Sequence, residues 1–170
     1  MKEATLPNCL ESIDRFAFAA TGLESVELPA SLRKITHGAF YKCNCLKAVK
    51  FGEGLEVLGT DEYSNNGKMW CGVFEESSVE HVKLPSTLKR IEYSAFENCK
   101  NLTKIQLPEN LRYIGRRCFW RSGLKNVEFP ASLRTVAQTA FAKCESLRTV
   151  KFNEGLEVLG TDEYFDNCKL

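Results

Sequence analysis

The chain has little of what most active sites are built from: two histidines, two tryptophans and two methionines in 170 residues. The histidines, His37 and His81, fall at different positions of the pattern described below, and neither has a nucleophile beside it. No G-x-x-x-x-G-K-[ST], G-x-S-x-G or H-E-x-x-H segment occurs, so phosphate-loop, serine-hydrolase and zinc-protease chemistries have no foothold. No apolar run approaches the roughly 18 residues that span a bilayer. The first residues, MKEATLPNCLESID, lack the apolar stretch of a secretory leader. Charge of one sign is also missing: the formal net charge is +1, which exerts no global pull on nucleic acid, membranes or acidic substrates. With 44% hydrophobic and 26% charged residues, the chain reads as a folded protein with a core.

Self-similarity is what the sequence does have. Leu23–Cys45, Val79–Asn101, Leu102–Gly123 and Leu124–Ser146 share the pattern L-x-x-V/I-x-L/F-P-x-x-L-x-x-I-x-x-x-A-F-x-x-C. Leu46–Ser78 and Leu147–Leu170 open in the same way, and 1–22 fits from Leu6 onward. All five prolines (Pro7, Pro29, Pro85, Pro108, Pro130) occupy one slot, filled elsewhere by the turn formers Gly52 and Asn153. Val49–Tyr63 returns as Val150–Tyr164 with one difference, so a block of four repeats has been duplicated.

The spacing predicts a coil. In Leu23–Leu28, Val26 and Leu28 alternate with polar residues, the period of a half-buried strand, and proline ends it. Leu32-x-x-Ile35 turns the chain back, and Ala39-Phe40-x-x-Cys43 packs beneath. One such coil cannot bury its own edge, so neighbours stack at ~4.8 Å into a parallel sheet. Phe18, Phe40, Phe74, Phe96, Phe119 and Phe141 are expected to form a continuous spine. The chain is read as one domain, with repeats near 1–22, 23–45, 46–78, 79–101, 102–123, 124–146 and 147–170. Neither end carries a polar capping turn, from which a fragment of a longer array is expected, monomeric or associating end to end.

These residues resemble the BspA-like leucine-rich repeats, a short cysteine-containing class, over essentially the whole chain. The motif L-x-x-I-x-L-P, L-x-x-I, A-F-x-x-C is complete in Val79–Cys99 apart from the opening valine. The resemblance implies a curved α/β-type solenoid with a concave parallel sheet, and short strands, turns or helical turns on its convex side. It also implies adhesion or protein recognition at a cell surface, with no catalytic residue, metal or cofactor.

Candidate contact residues follow from the strand phase. The outward positions are Ser25/Glu27, Ala48/Lys50, His81/Lys83, Lys104/Gln106, Asn126/Glu128 and Thr149/Lys151. Lys50, His81, Lys83, Lys104, Gln106, Asn126 and Glu128 are taken as the partner-binding set. An insertion at Thr60–Gly72 adds Tyr63, Met69 and Trp70, which have the aromatic and flexible apolar character of interface hot spots. The alternative is a loop that folds Trp70 back onto the core. A second reading uses a basic ridge (Arg33-Lys34, Lys89-Arg90, Arg112 and Arg134, with Arg116-Arg117 nearby) to hold a polyanion or nucleic acid. Glu11, Glu56 and Glu157 interrupt that ridge, and no aromatic stacking set is apparent beside it. Of the eight cysteines, Cys43, Cys99 and Cys144 share a slot with Thr21, Ser77 and Ser122, as small buried thiols do. Free thiols suit a reducing compartment and the resemblance a cell surface, which leaves the location open.

Overall fold

The structure is a computed structural model, and it describes residues 2–60 and 71–160. All coils but the one at 102–123 open with a strand of a first sheet, and each described coil turns back through a short strand of a second. The first-sheet strands are β1 (Glu3–Ala4), β3 (Ser25–Leu28), β5 (Ala48–Phe51), β7 (His81–Lys83), β10 (Asn126–Glu128) and β12 (Thr149–Lys151). The second-sheet strands are β2 (Ser12–Ile13), β4 (Lys34–Ile35), β6 (Val57–Leu58), β8 (Arg90–Ile91), β9 (Tyr113–Ile114), β11 (Thr135–Val136) and β13 (Val158–Leu159). Every pairing is parallel, and among the described residues there is no helix. The molecule is a right-handed repeat solenoid of strands and turns.

Local sequence explains each turn of the coil. Val26, Leu28, Val49 and Phe51 point into the core, while Glu27 and Lys50 between them face solvent. The proline carbonyl that follows accepts the N–H three residues on, as from Leu32 to Pro29 at 3.1 Å and Leu88 to Pro85 at 3.2 Å. Gly52 replaces proline where a Cβ would meet the backbone of Ala30 in the preceding coil.

The phenylalanines stack as one column. Ring centroids from Phe18 to Phe141 are 5.1 to 5.4 Å apart, with interplanar angles of 12° or less. That spacing is set by the coils, and aromatic faces at this distance add attraction beyond their burial. A third backbone ladder runs beside the column. Phe40 N–H meets the Val73 carbonyl at 2.8 Å, Phe96 that of Cys118 at 2.8 Å, and Phe119 that of Ala140 at 2.7 Å. Two residues before and two after the phenylalanine, the chain turns through left-handed backbone: Phe16 and Ala20, Ser94 and Asn98, Arg117 and Arg121, Thr139 and Lys143, all with φ of 50° to 57°. Few of these are the residues that favour such a φ. Phe16, Ala20, Ser94, Asn98, Arg117 and Arg121 hold it with the N–H tied to a carbonyl of the next coil, as Ala20 to Tyr41 at 2.7 Å and Arg121 to Ala142 at 3.0 Å.

The shared cysteine slot has an order of its own. Cys43, Cys99 and Cys144 each donate to the carbonyl of the preceding coil's phenylalanine (Phe18, Phe74, Phe119) at 3.0 Å. Each also meets that coil's hydroxyl: Thr21 at 3.5 Å, Ser77 at 3.6 Å and Ser122 at 3.3 Å. Small hydroxyl and thiol therefore alternate from coil to coil, so the structural unit is a pair of coils.

Candidate interaction surface

The first sheet presents one row of side chains to solvent. Glu27, Lys50, His81, Lys83, Lys104, Gln106, Asn126, Glu128, Thr149 and Lys151 are all exposed, and Ser25 and Ala48 are half-buried. Across neighbouring coils the charges pair where they can: Glu27 with Lys50 at 3.3 Å and Glu128 with Lys151 at 3.4 Å. Both pairs are well exposed, so they align side chains more than they stabilise the fold. At the centre the pairing fails. Lys50 stands directly opposite Lys83 in the ladder, and like charges so placed repel.

Next to that point the sheet is interrupted, which corrects the expectation of a strand at Lys104/Gln106. Residues 102–108 carry no strand, and the first sheet divides into β1-β3-β5-β7 and β10-β12. Among the described residues no backbone hydrogen bond joins 80–83 to 103–106. By repeat register Lys83 lines up with Gln106 and His81 with Lys104, so no carboxylate joins these two coils as Glu27–Lys50 and Glu128–Lys151 join the coils on either side. Val82 and Ile105, which occupy the inward position of Val26, Val49 and Val127, are correspondingly only half-buried. A shallow depression of about 410 Å³ lies over the seam, walled by Lys50, Glu80, His81, Lys83, Lys104 and Gln106.

The second candidate surface is less cationic than its sequence suggests. Lys89 is bound to Glu56 at 2.8 Å, Arg90 to Glu92 at 2.6 Å and Arg134 to Glu157 at 3.5 Å. Arg33 and Arg134 turn back onto backbone carbonyls of their own coils, those of Ala30 and Ala131. Aromatic partners are nevertheless present where none was apparent. Arg90 lies over Tyr113 at 4.0 Å, and Trp120 is approached by Arg117 at 4.5 Å, Arg121 at 4.2 Å and the Lys143 ammonium at 5.5 Å. Lys143 comes from the next coil, so only stacking assembles the group.

Beside the phenylalanine column lies a buried polar cluster that the sequence did not single out. Glu97 is buried and accepts hydrogen bonds from Arg117 at 2.8 Å and Ser94 at 2.5 Å. Glu75 accepts from the Gly72 N–H at 2.7 Å, yet desolvation, with Glu97 and Glu76 nearby, pushes its pKa up to about 7. His37, expected simply in a turn, is buried there, its Nε2 2.8 Å from the Thr60 hydroxyl. Burial raises the Cys99 thiol to about 12 and lifts Cys118 well above its ordinary value. Such thiols are poor nucleophiles. Among the described residues no disulfide joins any of the seven cysteines. Among the described residues no three His, Cys, Asp or Glu side chains are placed to hold a metal, and no helix is long and apolar enough to cross a membrane. Tyr63, Met69 and Trp70 of the insertion, and Cys168, lie outside the described residues.

Comparison with known proteins bears on the whole chain. The BspA type leucine-rich repeat region matches residues 1–70 and 67–170, in six copies. A leucine-rich repeat protein from Bacteroides ovatus superposes with a TM-score of 0.78 at 25% identity, over 94% of this chain and 39% of that one. The chain thus spans well under half the length of that relative. The Treponema pallidum leucine-rich repeat protein superposes with a TM-score of 0.60 at 22% identity, over 81% of this chain and 73% of its own, and shares the fold. Among curated proteins none matches the sequence. With coil, spine and repeat motif agreeing along its length, the chain belongs to the BspA type leucine-rich repeat family.

Proposed function

We propose that this chain recognises a protein partner through the first-sheet face, with Lys50, His81, Lys83, Lys104, Gln106, Asn126 and Glu128 as the contact set. The observation that carries this reading is the depression over the seam. There, exposed polar side chains surround two half-buried apolar ones, Val82 and Ile105. A polar rim around an apolar floor is the composition of a recognition patch. The polyanion reading loses ground because Lys89, Arg90 and Arg134 are already held by carboxylates.

The test is a pull-down from extracts of the source, with the chain run beside a variant in which Lys50, His81, Lys83, Lys104 and Gln106 are serine. Circular dichroism first establishes that the variant folds. A partner captured by the parent and lost from the variant is the expected result. A partner held equally by both would move recognition off this face. Capture that collapses as salt rises from low to physiological, on either protein, would instead point to a polyanion.

A further inference from the structure

The seam has a chemistry of its own. Its floor is Val82 and Ile105, each more open than Val26, Val49 and Val127 at the same position. Its rim carries Lys83 and Lys104, which make no ion pair among the described residues, together with exposed His81. Glu80 is the one carboxylate in the lining and is half-buried, and Lys50 is already engaged by Glu27. The backbone of 104–106 has no ladder partner in the coil before it, where every other first-sheet ladder of the solenoid's first four coils is closed. Glu27 with Lys50 and Glu128 with Lys151 bridge neighbouring coils whose ladders are closed, while Lys83 and Lys104 have no such bridge among the described residues.

We propose that the seam between 80–83 and 103–106 is a binding site for an extended acidic segment of a partner protein. The segment's carboxylates meet Lys83 and Lys104, and its apolar side chains rest on Val82 and Ile105. Such a segment supplies what the coils themselves lack at this place: negative charge beside Lys83 and Lys104, which have no carboxylate partner among the described residues. Alternation suits it, because an extended chain sends successive side chains to opposite sides. Acidic and apolar side chains then address different parts of the site. This inference rests on the first-sheet reading above and names the partner's chemistry.

The experiment uses the whole chain and a short dye-labelled peptide alternating Glu and Val, followed by fluorescence anisotropy. A Gln/Val peptide and a short single-stranded oligonucleotide serve as parallel probes. The Glu/Val peptide is expected to bind, and the Gln/Val peptide at least about tenfold more weakly. Lys83→Glu with Lys104→Glu should weaken the Glu/Val peptide by about tenfold or more, while Lys34→Glu with Arg112→Glu on the second sheet should leave it unchanged. If the reversed pair fails to fold, Lys83→Gln with Lys104→Gln reads the same loss. No binding of the Glu/Val peptide overturns the proposal, as does an equal loss from the second-sheet pair, or tighter binding of the oligonucleotide at the same lysines. Failure here with a partner still lost from the serine variant would sink the acidic segment alone. A partner kept by the serine variant would sink the first-sheet reading itself.

Discussion

The phenylalanine column and the first sheet run the same length of the same coils, yet one is uniform and the other is not. The column keeps its 5.1 to 5.4 Å spacing across the seam, where Phe96 and Phe119 stand 5.4 Å apart. The sheet at that height has lost its ladder. Continuity of the solenoid across the seam therefore rests on the buried column, the backbone bonds beside it and the β8–β9 ladder of the second sheet. This leaves the sheet face free to carry a charge pattern that works against its own pairing. A surface that need not hold the molecule together is one on which recognition residues can accumulate without unfolding it.

The largest expected effect tests that division directly. Phe96 is fully buried between Phe74 and Phe119. Phe96→Ala should cost ~3–5 kcal/mol through lost burial and an unfilled cavity. Val82→Ala, on the open floor of the seam, should cost about 1 kcal/mol, because a half-buried side chain loses less transfer energy and leaves no closed void. Urea unfolding of the two variants gives the difference. Equal losses would mean the sheet carries as much of the stability as the column, and the contrast between them would be gone.

The column also has an electrostatic fault of its own. Glu75 sits against buried Glu97, and burial lifts its pKa from the ordinary 4.5 to about 7. Between those values the folded chain holds a proton that the unfolded chain has released. Stability must therefore fall as pH rises through that window. Glu75→Gln removes the proton and with it the slope. The variant should gain on the order of 1 kcal/mol relative to the parent at pH 8, and nothing at pH 4, its partial exposure keeping the effect to that size. Thermal unfolding across pH decides it, and parallel curves for the two proteins would show that Glu75 is ionised throughout.

Much of this architecture was legible in the residues. Proline after each first strand, phenylalanine eight residues beyond the second leucine, and the alternation of Val26 and Leu28 with polar neighbours lead directly to the coil, the column and the outward row. The seam was not legible, because Leu102–Leu107 has the same apolar spacing as its neighbours and contains no glycine. What distinguishes it is the missing ladder between 80–83 and 103–106, a relation between repeats that reading one repeat at a time does not weigh. The Trp120 group was hidden in the same way, since Lys143 reaches it from another coil. The buried carboxylates Glu92 and Glu97 look like solvated positions until Arg90 and Arg117 are placed beside them.

The smallest effect concerns the left-handed residues, where sequence and backbone disagree most. Ala20 adopts φ of 54° with its N–H bonded to Tyr41, and its side chain is exposed. An alanine in that conformation carries strain from its Cβ of about 1 kcal/mol, which glycine would relieve. Glycine also loses more freedom on folding, by roughly 0.5–1 kcal/mol. The two nearly cancel, so Ala20→Gly should change stability by less than about 0.5 kcal/mol. A β-branched residue meets the same strain with a stiffer side chain, so Ala20→Val should destabilise by ~1–2 kcal/mol. Unfolding midpoints of the two variants separate the outcomes. A harmless valine would mean that the corner relaxes out of the left-handed region, and that the hydrogen bond to Tyr41 does not hold it there.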